Sequence, residues 1–169
     1  MAAGKSTIGR KLARRLERPF VDTDRLVIAQ RGAIATIFAD EGEAAFRRYE
    51  TEAILRALAG DEPRVIAVGG GALTVEENRV RLAQRAWRVF IKISPDQALA
   101  RIRRGRAVRP VLGEAPTLAA ITELYAARLP EYERADFIVD ATSRSDSSVI
   151  EAIARWLRRL PAAAKLAVS

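Results

Sequence analysis

Cysteine and histidine are both missing from this chain. The first absence excludes disulfides and thiolate metal sites, and the second removes the commonest general base and zinc ligand, so proton transfer falls to carboxylates. Aromatic residues are scarce, at 6%, and they are not interleaved with basic ones in the way that stacks nucleic-acid bases. No apolar run approaches the roughly 20 residues of a membrane span, and the opening residues lack a signal-peptide pattern. A cytoplasmic protein with no membrane and no nucleic-acid partner is expected.

What is present is a chain of 169 residues, 49% apolar and 30% charged, with a net charge of +8. That length suits one domain with a real core. Most of the positive charge is arginine, and Arg14, Arg15, Arg103, Arg104, Arg158 and Arg159 fall where solvated helix faces are expected. The charge is compatible with a nucleic-acid surface or with an affinity for small anionic ligands, and solvated helix faces account for it as well.

The sequence is organised around its first seven residues, Met1-Ala2-Ala3-Gly4-Lys5-Ser6-Thr7. They read as the second half of a phosphate-binding loop of the form GxxxxGK[ST] running into a helix. In such a loop main-chain N–H groups surround phosphates, Lys reaches the terminal ones and Ser/Thr holds Mg²⁺. The basic amphipathic run from Thr7 to Leu16 would aim its helix dipole at the same anion. Four common residues, GKST, are a weak signal alone.

A short strand is expected over Arg18 to Val21, ending in Asp22-Thr23-Asp24, with period two placing both carboxylates on one side. In a parallel βαβ unit that strand end lies beside the phosphate loop. A turn or helix cap would also account for the two Asp residues. From Arg25 to Gly60 the pattern is helical, broken at Gly32 and Gly42, with Ile34, Ile37, Phe38, Phe46, Tyr49, Ala53 and Ala57 forming buried stripes. Arg47 stands at helical spacing from Glu43 and Glu50, as an ordinary ion pair or as a grip on a substrate carboxylate.

Arg64 to Val68 reads as a buried strand running into Gly69-Gly70-Gly71, where a ligand lying close to the main chain would explain the glycines. Further helices are expected over Glu76 to Ala86, Pro95 to Arg104, Thr117 to Leu129 (stopping before Pro130) and Asp146 to Leu160. Strands are expected over Arg88 to Ile93 and Phe137 to Asp140. Residues 105–116 are basic and rich in Gly and Pro, the pattern of a flap, and residues 161–169 read as a loose tail.

Taken together, GKST, the DTD pair, GExxFRxxE from Gly42 to Glu50, the triple glycine, Arg109-Pro110 and RLPEYERAD from Arg128 to Asp136 closely resemble the shikimate kinase family. The resemblance runs along nearly the whole chain in order. It implies an α/β three-layer fold like that of the P-loop nucleoside monophosphate kinases, with a parallel sheet of order 2-3-1-4-5. It divides residues 1–160 as one kinase domain, with substrate-binding helices at about 25–60 and a lid at about 105–116. It implies ATP-dependent phosphorylation of the 3-hydroxyl of shikimate, in the route to chorismate and the aromatic amino acids, by a monomer.

Carried over residue by residue, the resemblance gives Lys5, Asp24 and Arg109 catalytic roles. ATP falls to Ala3, Gly4, Lys5, Ser6, Thr7, Arg101, Arg109 and Arg144. Shikimate falls to Asp24, Phe38, Arg47, Gly69, Gly70, Gly71 and Arg128, and Mg²⁺ to Ser6 and Asp22. Elementary chemistry agrees: phosphoryl transfer asks for cations around the phosphates and a carboxylate at the attacking hydroxyl, and a carboxylate substrate asks for arginine forks.

The chain departs from the family at its start. The family's first strand and opening loop Gly would precede Met1, and the inner loop Gly is Ala2 here, so the chain reads as N-terminally truncated or mis-started. A vacant central strand position, a loosely held Gly4 to Thr7 and weak ATP binding are expected, with activity of this exact chain left open. The other readings are a gluconate-kinase-like enzyme of the same fold, a nucleotide-binding pseudokinase and a basic nucleic-acid-binding module.

Overall fold

The computed structural model describes residues 2–104, 116–160 and 166–169. The apolar spacing of Ile8, Leu12 and Ala13 makes one buried face on α1 (Lys5–Arg15), which begins where Gly4 turns left-handed at φ 80°. Strand β1 (Phe20–Asp22) follows, and Asp22 then caps α2 (Thr23–Arg31) by accepting the Arg25 N–H at 3.3 Å. The expected helical stretch is three helices, α2, α3 (Ile34–Asp40) and α4 (Gly42–Leu58), separated at the two glycines. Next come β2 (Val65–Ala67), a 3-10 turn (Ala72–Thr74), α5 (Glu76–Arg85), β3 (Trp87–Lys92) and α6 (Pro95–Arg104). The chain closes with α7 (Leu118–Tyr132), β4 (Phe137–Asp140), α8 (Asp146–Leu157) and β5 (Leu166–Val168).

The sheet has five parallel strands in the order β1-β2-β5-β3-β4. Alternation along the strands sends Val65, Val89, Ile91, Val139 and Val168 to one face, where α1 and α8 cover them with Leu12, Ile150 and Ile153. Ile66, Phe90 and Ala167 point the other way, against Ile54, Leu58, Leu82 and Tyr132. A smaller cluster of Val27, Ile37, Phe46 and Ala53 joins α2, α3 and α4 into a unit beyond the sheet edge.

Two expectations are corrected. The position of the missing first strand is not vacant: β5 fills it, pairing with β2 through Val65↔Leu166 and with β3 through Val89↔Val168. Residues 166–168 are thus the central strand and not part of a loose tail. An open gap would leave two rows of buried main-chain polar groups unpaired, and a short apolar segment satisfies both. The second correction is at Pro130, which lies inside α7 and does not end it. The last turn is anchored from outside, because the Tyr132 hydroxyl donates to the Gly70 carbonyl and its ring stacks on Phe90 at 4.9 Å. Those contacts outweigh the local preference against helix before proline.

Candidate active site

A cleft of about 750 Å³ opens at the carboxyl edge of the sheet, between α1, α2 to α4 and the loop after β2. Ala3, Gly4, Lys5, Ser6 and Thr7 form one wall. Asp22, Asp24, Phe38, Arg47, Gly69, Gly70, Gly71 and Arg128 line the remainder. Parallel strands place their carboxyl ends together, so segments far apart in the chain converge here.

The wall opposite α1 is tied together by charge. Arg47 Nη1 donates to Glu50 at 2.6 Å, while its Nε and Nη2 donate to Glu43 at 3.2 and 2.8 Å. Arg47 is thus ion-paired, and it also lines the cleft. A guanidinium has five N–H groups, so these three bonds do not use all of its donors. Burial works against its charge, but Glu50 and then Glu43 outweigh it and its pKa is raised.

Glu50 is the residue that spacing alone underrated. It is 1% exposed, and its Oε1 accepts no hydrogen bond among the described residues. Burial pushes its pKa up, Arg47 pulls it down, and Asp24 pushes it up again. The third-residue spacing from Arg47 was the available signal, but spacing does not report depth.

The triple glycine has a reason other than the expected one at two of its positions. A Cβ on Gly69 would overlap Glu50 Oε1 and Asp24 Oδ1, and one on Gly71 would overlap the Arg47 guanidinium. The protein's own charged side chains lie on this main chain. The loop is further held through its carbonyls, since Arg128 Nη1 donates to Gly70 O at 3.0 Å and Thr74 Oγ1 to Gly71 O at 2.7 Å. Thr23 Oγ1, fully buried, receives the Gly69 N–H at 3.2 Å. Burial also pushes the Tyr132 hydroxyl up, which keeps it protonated as a donor to Gly70.

The two carboxylates of the DTD stretch line the same cleft, although the strand ends at Asp22 and Asp24 belongs to the first turn of α2. Asp22 is a helix cap and a cleft residue at once. Arg101 does not line the cleft, and its Nη1 donates to Ala2 O at 3.3 Å. Arg144 is exposed ahead of α8, away from the cleft lining. Arg109 and the lid, bar its last residue, lie outside the described residues. Ile28, Ile34, Phe46 and Leu124 also line the cleft and were not singled out beforehand as site residues.

A parallel sheet with a GKST helix start at its carboxyl edge, facing carboxylates and arginines across one cleft, defines a small-molecule kinase of the P-loop class. A family model described as shikimate kinase matches residues 1–158. The chain is 41% identical over 162 residues to the shikimate kinase of Dechloromonas aromatica, covering 95% of this chain and 87% of that one. It is 43% identical over 162 residues to that of Symbiobacterium thermophilum, covering 95% and 91%. Among solved structures, shikimate kinase from Acinetobacter baumannii in complex with shikimate superposes with a TM-score of 0.86 at 31% identity, covering 94% of this chain and 89% of that one. The Aquifex aeolicus shikimate kinase gives 0.80 at 33% identity, covering 94% and 92%. The chain belongs to the shikimate kinase family and is accordingly an ATP-dependent kinase.

Proposed function

We propose that this chain transfers the γ-phosphoryl group of ATP to the 3-hydroxyl of shikimate, as a single domain in the cytoplasm. The observation that carries the reading is the meeting of Lys5 and Ser6 with Asp24, Arg47 and Arg128 in one cleft. Main-chain N–H groups of Gly4 to Thr7 and the Lys5 ammonium hold the phosphates. Arg128 and Arg47 fork the substrate carboxylate; the Arg128 Nε has no hydrogen-bond partner among the described residues and is a donor in waiting. Asp24 accepts the hydroxyl proton as the new O–P bond forms and the bond to the β-phosphate oxygen breaks, releasing ADP.

Ser6 and Asp22 suit Mg²⁺: both are hard oxygen donors on the cleft lining, and that ion keeps most of its water and takes few protein ligands. Among the described residues no cluster of three carboxylates would hold a metal alone, which fits an ion carried mainly by phosphates. When bound it neutralises phosphate charge. The described lining pairs Lys5, Arg47 and Arg128 with Asp22, Asp24 and Glu50. A formally neutral cleft needs further cations for a nucleotide, and Arg106 and Arg109 of the flap supply them.

A coupled assay of ADP release with Mg²⁺-ATP and shikimate tests the reading. Turnover on gluconate with none on shikimate would transfer the chain to the gluconate-kinase-like alternative.

A further inference from the structure

The glycine loop after β2 lies between the two arginines to which the substrate carboxylate is given above. Arg128 Nη1 donates to the Gly70 carbonyl at 3.0 Å, and a Cβ on Gly71 would overlap the Arg47 guanidinium. The peptide joining Gly70 to Gly71 is thus the spacer between the two forks. We propose that Tyr132 is a positioning residue for substrate binding: by donating its hydroxyl to the Gly70 carbonyl it fixes that peptide, and with it the placement of Arg128 relative to Arg47. The proposal deepens the kinase reading and rests on it.

Tyr132 suits this task because its own position does not depend on the loop. It is 4% exposed, and its ring stacks on Phe90 of β3 at 4.9 Å. A tyrosine side chain turns about only two torsions, so a packed ring settles where the hydroxyl stands. A hydroxyl buried at that depth needs a partner, and the Gly70 carbonyl is the one it has. Arg128 and Tyr132 stand four residues apart on α7, the spacing that brings side chains to one face of a helix. Both reach the same carbonyl, whose two lone pairs can accept both.

The carbonyls on either side are held within the loop's own turns, Gly69 O by the Ala72 N–H at 3.1 Å and Gly71 O by the Thr74 N–H at 2.9 Å. The Gly70 carbonyl is held from α7 instead. Arg128 is a poor sole anchor for it, because the guanidinium that holds the carbonyl is also the one that turns to an incoming anion. The phenol has no second duty of that kind and keeps the carbonyl in place in both states. Since the peptide unit is planar, a fixed Gly70 carbonyl also fixes the Gly71 Cα that packs on Arg47. A bidentate grip on a carboxylate depends on such placement.

Steady-state kinetics of Tyr132→Phe, which keeps the ring on Phe90 and removes the donor, tests the proposal. The shikimate KM rises about threefold to tenfold, while kcat and the ATP KM stay within about twofold. Arg128→Ala raises the shikimate KM about tenfold to a hundredfold. Adding Tyr132→Phe to that variant raises it by less than about twofold more, because a single remaining fork has no spacing to keep. An unchanged shikimate KM in Tyr132→Phe, or effects that multiply in the double variant, means that Tyr132 serves the fold alone; either result overturns the proposal and leaves the kinase reading intact. No shikimate turnover by the unsubstituted chain overturns both. Should Tyr132→Phe not fold, 4-fluorophenylalanine at that position fills the space of the hydroxyl without donating and decides in its place.

Discussion

The two walls of the cleft are built on different principles. On the wall opposite α1, Arg47 pairs with Glu50, Arg128 donates to the Gly70 carbonyl, and Glu50, Asp24 and Arg47 lie against the Gly69 and Gly71 main chain. The wall at Gly4 to Thr7 is a helix start whose immediate support is Ala2 held at φ 50° and an Arg101 bond to its carbonyl. The first wall carries its charges before any ligand arrives. The second presents main-chain donors that a ligand completes, so substitutions on the two sides separate into different kinetic and thermodynamic effects.

The largest effect is expected at the boundary between the walls. Asp24→Asn keeps the shape but removes the proton acceptor, and kcat falls by about 10²- to 10⁴-fold, while ATP binding followed by calorimetry stays unchanged. Near-normal kcat would reduce Asp24 to a bracing role. On the nucleotide side, Arg109→Ala lowers kcat by about 10²-fold with little change in the shikimate KM, because its charge matters most as the phosphoryl group transfers. Steady-state kinetics over both substrates distinguishes these patterns.

Arg47→Ala is expected to raise the shikimate KM and also to destabilise the protein by about 3–5 kcal/mol, because Glu50 is left buried without its partner. The double variant Arg47→Met, Glu50→Gln recovers most of that stability in urea unfolding and none of the KM. Recovery of KM as well would mean that Arg47 serves the network and not the substrate.

Ala2→Gly sharpens the contrast from the other side. A left-handed conformation strains a residue with a Cβ by about 1–2 kcal/mol, so removing it stabilises the wall at Gly4 to Thr7 by about that amount, less the entropy of a freer glycine. A rise in thermal midpoint and tighter nucleotide binding, with an unchanged shikimate KM, are the measurements. The smallest effect concerns pH. Burial raises the Glu50 pKa above its ordinary 4.5, so the folded state binds a proton more readily than the unfolded chain. That contribution is full below pH 4.5 and is lost as pH rises through the raised value. Relative to wild type, Glu50→Gln removes this decline, and urea midpoints measured across that range should converge toward acid pH. Parallel curves would place the buried proton elsewhere.

That Arg47, Arg128 and the glycine run would meet at one site was readable in advance, because they sit within motifs whose chemistry is local, and all of them line the cleft. The depth of Glu50 was not. Glu50 and an exposed Glu at the same helical spacing are identical in sequence, and only packing of α4 against Gly69 makes one of them a buried charge. Pro130 shows the converse, a strong local rule overridden because Tyr132 has a partner 62 residues away.

By itself the sequence determined the alternation of helices and strands, through apolar periods of 3.6 and 2 that hold whatever the rest of the chain does. It also determined which chemistries were open, since without His or Cys the cleft had to work with carboxylates, arginines and main-chain N–H groups. The tertiary structure alone decided what fills the middle of the sheet. Leu-Ala-Val-Ser is too short and too ordinary to announce a central strand. It becomes one because the facing edges of β2 and β3 expose main-chain donors and acceptors in a parallel register, and satisfying them is a property of the assembled sheet and not of any segment within it.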